Sequence, residues 1–158
     1  MNWTEVCENR QIQDLPFKIE LDRWGKIVMS PASNRHGYVQ TVIAAHLMQN
    51  RRGGKVITEC SVETGRGVKV ADVAWGSKAF FARNGLDTPY REAPEVCVEV
   101  VSPSNSDDEI REKVELYLAR GAKEVWVCQE TGNIRLYSYQ GETSTSSYFD
   151  QIPVVDIC

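Results

Sequence analysis

The sequence predicts a single domain of α/β or α+β class built on one mixed β-sheet. Three observations carry that expectation. The chain has 158 residues, the length of one compact domain. Its composition, 42% hydrophobic and 25% charged, excludes a disordered tail, a collagen-like fibre and a coiled coil. Strand-like and helix-like periodicities alternate in the order β-hairpin, α, several β, α, β-hairpin, with neither a repeat nor a linker between them. The domain is expected to span residues 1–158, with its core over about 17–139 and a loose tail over 140–158.

Each element has its own signal. Alternating Phe17-Lys18-Ile19-Glu20-Leu21 and Lys26-Ile27-Val28-Met29, joined across Asp22 to Gly25, predict a hairpin closed by Pro31. Ser33 or Asn34 then caps a helix from about Arg35 to Arg51, where Val39, Val42, Ile43, His46 and Leu47 recur at helical spacing. Lys55 to Glu59 reads as a short strand and Val68 to Trp75 as an alternating one. Val96 to Val101 is β-branched and nearly continuous, as in a strand covered on both faces. Gly76 to Pro94 is a polar connection long enough for a functional loop or lid. Ser106 and Glu109 make a capping-box pattern before a helix whose apolar stripe is Ile110, Val114, Tyr117 and Leu118, ending at Gly121. Glu124 to Cys128 and Asn133 to Tyr139 read as a second hairpin. Gln140 to Ser147 is Ser/Thr-rich and reads as loose, and Ile152 to Ile157 as a last edge strand.

Composition also bounds the function. No apolar run approaches the ~18 residues of a membrane helix, and Met1 to Arg10 lacks the basic-then-apolar order of a signal peptide. The expectation is a cytoplasmic protein with no membrane partner. Cys7, Cys60, Cys97, Cys128 and Cys158 form no CxxC pair, which argues against a zinc cluster or a disulfide framework. A net charge of −4 lacks the basic excess of a protein that grips nucleic acid through phosphates. Action on nucleic acid would therefore need a local groove or a bound metal.

The informative feature is a pair of acids where strands should be apolar. Asp72 shares a strand face with Val68, Val70 and Ala74, and Glu99 lies within Val96-Cys97-Val98-Glu99-Val100-Val101. A carboxylate on an apolar face costs several kcal/mol unless paired. On neighbouring strands the two could share a hard divalent cation with oxygen ligands; the alternative is that each faces solvent or pairs with Arg or Lys. Lys113 lies at the border of the second helix's stripe and could reach Glu99, there to orient or deprotonate a water or neutralise an oxyanion. The plain alternative for it is a surface pair with Glu109.

At these residues the chain resembles a known family. Pro94-Glu95-Val96-Cys97-Val98-Glu99-Val100-Val101-Ser102-Pro103-Ser104, Arg111-Glu112-Lys113-Val114-Glu115-Leu116-Tyr117 and Gly121-Ala122-Lys123-Glu124-Val125-Trp126-Val127 look like the Uma2 family of restriction-endonuclease-like proteins. The similarity extends back through Asp72-Val73-Ala74 to the helix near His36, over roughly residues 20–140, and the strand–Ser-Pro-Ser–helix junction is its most specific part. It implies a single α/β domain with a PD-(D/E)xK nuclease-like core, a mixed β-sheet flanked by helices, and a Mg²⁺ or Mn²⁺ site in which Asp72 and Glu99 are ligands and the Val100 carbonyl a third. Where that motif has lysine two residues after the acid, this chain has Val101, so Lys113 is the candidate for a relocated lysine. Ala71 stands where the motif has proline. His36 and Gln40 match positions where related nucleases present a further polar group.

The resemblance makes the expected activity metal-dependent hydrolysis of phosphodiesters, with DNA as the substrate. Symmetric dimers being the commonest oligomers, a homodimer is the expected assembly. The missing strand lysine and the acidic balance favour the alternative, a nuclease fold kept as a non-catalytic binding or assembly module. A third reading is a small-molecule enzyme with Gly76–Pro94 as its lid.

Overall fold

The computed structural model describes residues 1–15 and 17–157; Cys158 lies outside them. The elements run α1 (Trp3–Glu8), β1 (Phe17–Leu21), β2 (Ile27–Pro31), α2 (Asn34–Gln49), β3 (Lys55–Thr64) and β4 (Gly67–Gly76). They continue α3 (Lys78–Asn84), β5 (Val96–Val100), α4 (Asp107–Ala119), β6 (Glu124–Cys128), β7 (Ile134–Ser138) and β8 (Gly141–Thr143). Strands β3 to β8 form one six-stranded sheet in sequence order, and β1 and β2 a separate two-stranded one. The sheet is mixed, as expected: β5 and β6 are parallel across α4, and the other neighbours are antiparallel.

Helices cover both faces of the sheet. On one, Val39, Ile43 and Leu47 of α2 pack on Val73, Val98 and Trp126. On the other, Phe80 of α3 and Val114 and Tyr117 of α4 pack on Cys97, Val125 and Val127. This double cover explains why every residue of β5 and of β6 is buried. Ser33 caps α2 through the His36 amide, and Ser106 and Glu109 close the capping box of α4.

Four expectations need correction. The strand starting at Lys55 runs on to Thr64; Glu59 has φ of +53°, which breaks the side-chain alternation a strand reading relies on. Residues 76–94 are no open lid. They hold α3, bury Phe80, Tyr90 and Ala93, and are stitched to β3 by the Tyr90 amide and carbonyl. The segment after residue 140 is not loose: Phe149 and Val155 are core residues, and Phe149 packs edge-on against Trp75 and Trp126. Its serines have a buried acceptor, since Glu124 takes hydrogen bonds from the Ser146 hydroxyl at 2.7 Å and the Ser147 amide at 2.6 Å. Residues 152–157 follow without forming a strand. The short helix α1, closed by an Asn2–Glu5 capping box, has too few turns to show a periodicity and was not expected.

The β1–β2 hairpin lies against the start of β4. A Cβ at Gly67 (φ +88°) would sit 2.2 Å from the Leu21 carbonyl oxygen, so only glycine permits this approach. The Val70 amide donates to Glu20 at 2.7 Å and ties the hairpin to β4.

Candidate functional site

The site forms where β4 and β5 part. Their ladder ends at Val73↔Val98, so the next two residues, Asp72 and Glu99, face each other beyond the last pair. On the other side of β4 the register passes from Thr58↔Val73 to Cys60↔Ala71, leaving Glu59 and Asp72 out of the ladder. Glu59, Asp72 and Glu99 therefore stand at one level across three strands. The left-handed backbone at Glu59 costs a non-glycine residue about 1–2 kcal/mol.

Cations fill the space between the acids. Lys18 Nζ is 3.0 Å from Asp72 Oδ1 and 3.2 Å from Glu99 Oε2. Lys113 Nζ is 3.4 Å from Glu99 Oε2 and 3.0 Å from Glu20 Oε2. His36 Nε2 lies 3.1 Å from Asp72 Oδ1. Two further donors fix the carboxylates: the Tyr117 hydroxyl on Glu99 Oε1 and the Val100 amide on Asp72 Oδ2, each at 2.7 Å. Asp72 is 0% and Glu99 2% exposed, so these contacts replace water.

The electrostatics follow from burial and these partners. Burial pushes Asp72 up, but Lys18 and the His36 hydrogen bond outweigh it and hold the carboxyl well below its usual range. Burial also raises Glu99, and there Lys113 and Lys18 oppose it without cancelling it. Glu20 is lowered: its burial is overcome by Lys113 and Lys18. Lys18 resists its own burial because Glu99 and Asp72 hold its proton, and its value is raised. His36 is raised, chiefly by its hydrogen bond to Asp72.

Asp72, Glu99, Lys113 and His36 are thus brought together. Glu109 spends its carboxylate on the Ser106 amide in the capping box, which leaves Lys113 for Glu99 and Glu20. Gln40 does not touch Asp72 or Glu99; its amide donates to Glu59 at 3.0 Å. Val100 contributes its amide N–H to Asp72. Lys18, Glu20 and Glu59 join the cluster without having stood out in the sequence. Strict alternation in β1 puts Lys18 and Glu20 on one face of the hairpin, which was the available signal. A cavity of about 250 Å³ opens over the cluster, lined by Lys18, His36, Gln40, Glu59, Glu99 and Lys113 among others.

The donor set suits a small hard cation: carboxylate oxygens with one imidazole nearby. Among the described residues no three His, Cys, Asp or Glu side chains are gathered as a ready-made metal cage. Yet Asp72 Oδ1 and Glu99 Oε2 both point at one cation-sized position, the one taken by Lys18 Nζ. The two oxygens could hold a divalent ion there once the ammonium moves aside.

Fold and site together define an α/β protein with a buried acid–lysine cluster at the splayed end of a mixed sheet. The same fold occurs in the crystal structure of a "putative nuclease belonging to DUF820" from Anabaena variabilis ATCC 29413. The TM-score is 0.64 at 19% identity, over 87% of this chain and 81% of that one. The Uma2 family model, described as "Putative restriction endonuclease", matches residues 8–157, and the chain belongs to that family. No curated protein matches it. No helix among the described residues is long and apolar enough to cross a membrane.

Proposed function

We propose that the protein is a Mg²⁺- or Mn²⁺-dependent endonuclease that hydrolyses phosphodiester bonds in DNA. One observation carries this reading: Asp72 Oδ1 and Glu99 Oε2, from separate strands, converge on the single point occupied by the Lys18 ammonium. Family membership and the shared fold support it.

Asp72 and Glu99 would hold the ion, with the Val100 carbonyl as a third ligand. When bound, the ion supplies an activated water and stabilises charge on the attacked phosphate. Lys113, pinned between Glu20 and Glu99, keeps a fixed positive charge beside the reacting group. His36 orients Asp72 through their hydrogen bond, and Gln40 orients Glu59. The local positive potential comes from the ion and the two lysines, as the chain's net charge of −4 requires. A homodimer in the cytoplasm completes the proposal.

A second reading has its own support. Lys18 and Lys113 already satisfy the buried carboxylates without any ion, as a nuclease fold kept for binding or assembly would need. Titration with Mn²⁺ of the wild type and Asp72→Ala, followed by cleavage assays on plasmid and single-stranded DNA, separates the two. The nuclease reading expects ion binding and Mn²⁺-dependent cleavage by the wild type, both lost in the variant. A wild type that binds no divalent ion supports the non-catalytic module.

A further inference from the structure

Two lysines reach the carboxylate cluster, and they are anchored differently. Lys113 is held by Glu20 at 3.0 Å, and Glu20 is buried and in turn fixed by the Val70 amide at 2.7 Å. Lys113 therefore has a partner apart from Asp72 and Glu99. Among the described residues, the ion pairs of Lys18 are with Asp72 and Glu99 themselves, at 3.0 and 3.2 Å. Those oxygens are the ones a divalent ion would take. An ammonium and a dication cannot share one point, because like charges a few ångström apart repel strongly away from bulk water. Lys18 has somewhere to go: it lines the cavity, on a flexible four-carbon stem carried by the separate β1–β2 sheet.

Resting on the ion of the preceding reading, we propose that Lys18 and the divalent ion alternate at the point between Asp72 and Glu99. The exchange turns the Lys18 ammonium into the cavity, where it meets the anionic group of the substrate. Lys18 is then the internal counter-ion of the ion-free protein and the lysine that faces substrate, while Lys113 stays with Glu20. The exchange also keeps charge in balance. Glu20, Asp72 and Glu99 are matched by Lys113 and a dication, which leaves the Lys18 charge to Glu59 and an incoming phosphate in the cavity they share.

Three measurements test this. Calorimetric Mn²⁺ affinity should be about tenfold tighter in Lys18→Gln than in wild type, because the competing cation is gone. Anisotropy in Ca²⁺ should show the same variant binding a short single-stranded oligodeoxynucleotide about tenfold more weakly. In the wild type, where no folding defect intervenes, amine acylation mapped by mass spectrometry should rise several-fold at Lys18 on addition of Mg²⁺ and stay constant at Lys113.

Equal or weaker Mn²⁺ binding by Lys18→Gln overturns the proposal, as does unchanged oligonucleotide binding or unchanged Lys18 labelling. Absence of Mn²⁺ binding in both proteins overturns it together with the nuclease reading. The expected pattern in all three, without any DNA cleavage by the wild type, leaves the alternation standing and removes the nuclease reading alone.

Discussion

The Tyr117 hydroxyl donates a 2.7 Å hydrogen bond to Glu99 Oε1, and both residues are buried. The other oxygen, Oε2, is left for Lys18 and Lys113. Removing the phenol should strand a buried carboxylate oxygen. Tyr117→Phe is expected to lose about 1.5–3 kcal/mol in urea denaturation, the range for a hydrogen bond to a charged group. Mn²⁺ affinity should fall with it, because Oε2 loses its orientation; a loss of stability alone would give Tyr117 a purely structural role.

Lys113 separates Glu20 from Glu99, two buried carboxylates that would otherwise face each other. Lys113→Met is expected to destabilise the fold by about 3–5 kcal/mol, as for one partner removed from a buried pair. Part of that loss should return in the double variant with Glu20→Gln, measured by the same denaturation.

The His36–Asp72 contact makes stability depend on pH with a defined sign. His36 is raised from 6.5, so the folded protein holds that proton more tightly than the unfolded chain. Its stabilisation is complete below 6.5 and disappears as pH rises through the folded value. Thermal melts of wild type and His36→Gln should differ most below pH 6.5 and draw together as pH rises above it. A constant difference across that range would remove the ionic part of the contact.

Glu59 sits at φ +53° beside the cavity, held by Gln40. Glycine would relieve the backbone, so Glu59→Gly should stabilise the protein by about 1 kcal/mol. Cleavage should fall in the same variant. Gain in stability with unchanged cleavage would mean that Glu59 has no part in the reaction.

The acids and their helix neighbour were legible in the chain because each broke a pattern. Asp72 and Glu99 interrupt apolar strands, and Lys113 falls at the edge of a helical stripe. Lys18 was not legible in this way, since a lysine alternating with Phe17 and Ile19 is what any half-exposed hairpin carries. Its role depends on Gly67 admitting the hairpin against β4, a tertiary contact with no local signature. Glu59 was hidden for the opposite reason: its left-handed backbone cut the periodicity of β3 and shortened the expected strand. The C-terminal segment misled by composition, because its serines read as solvated while Glu124 waits inside the fold to accept from them.

The most direct test of the shared-cation site is a crystal grown with Mn²⁺ and measured for anomalous scattering. One peak is expected at bonding distance, about 2.0–2.2 Å, from both Asp72 Oδ1 and Glu99 Oε2, with the Lys18 ammonium displaced. Lys18 still bridging the two carboxylates at saturating Mn²⁺, with no peak between them, would contradict it.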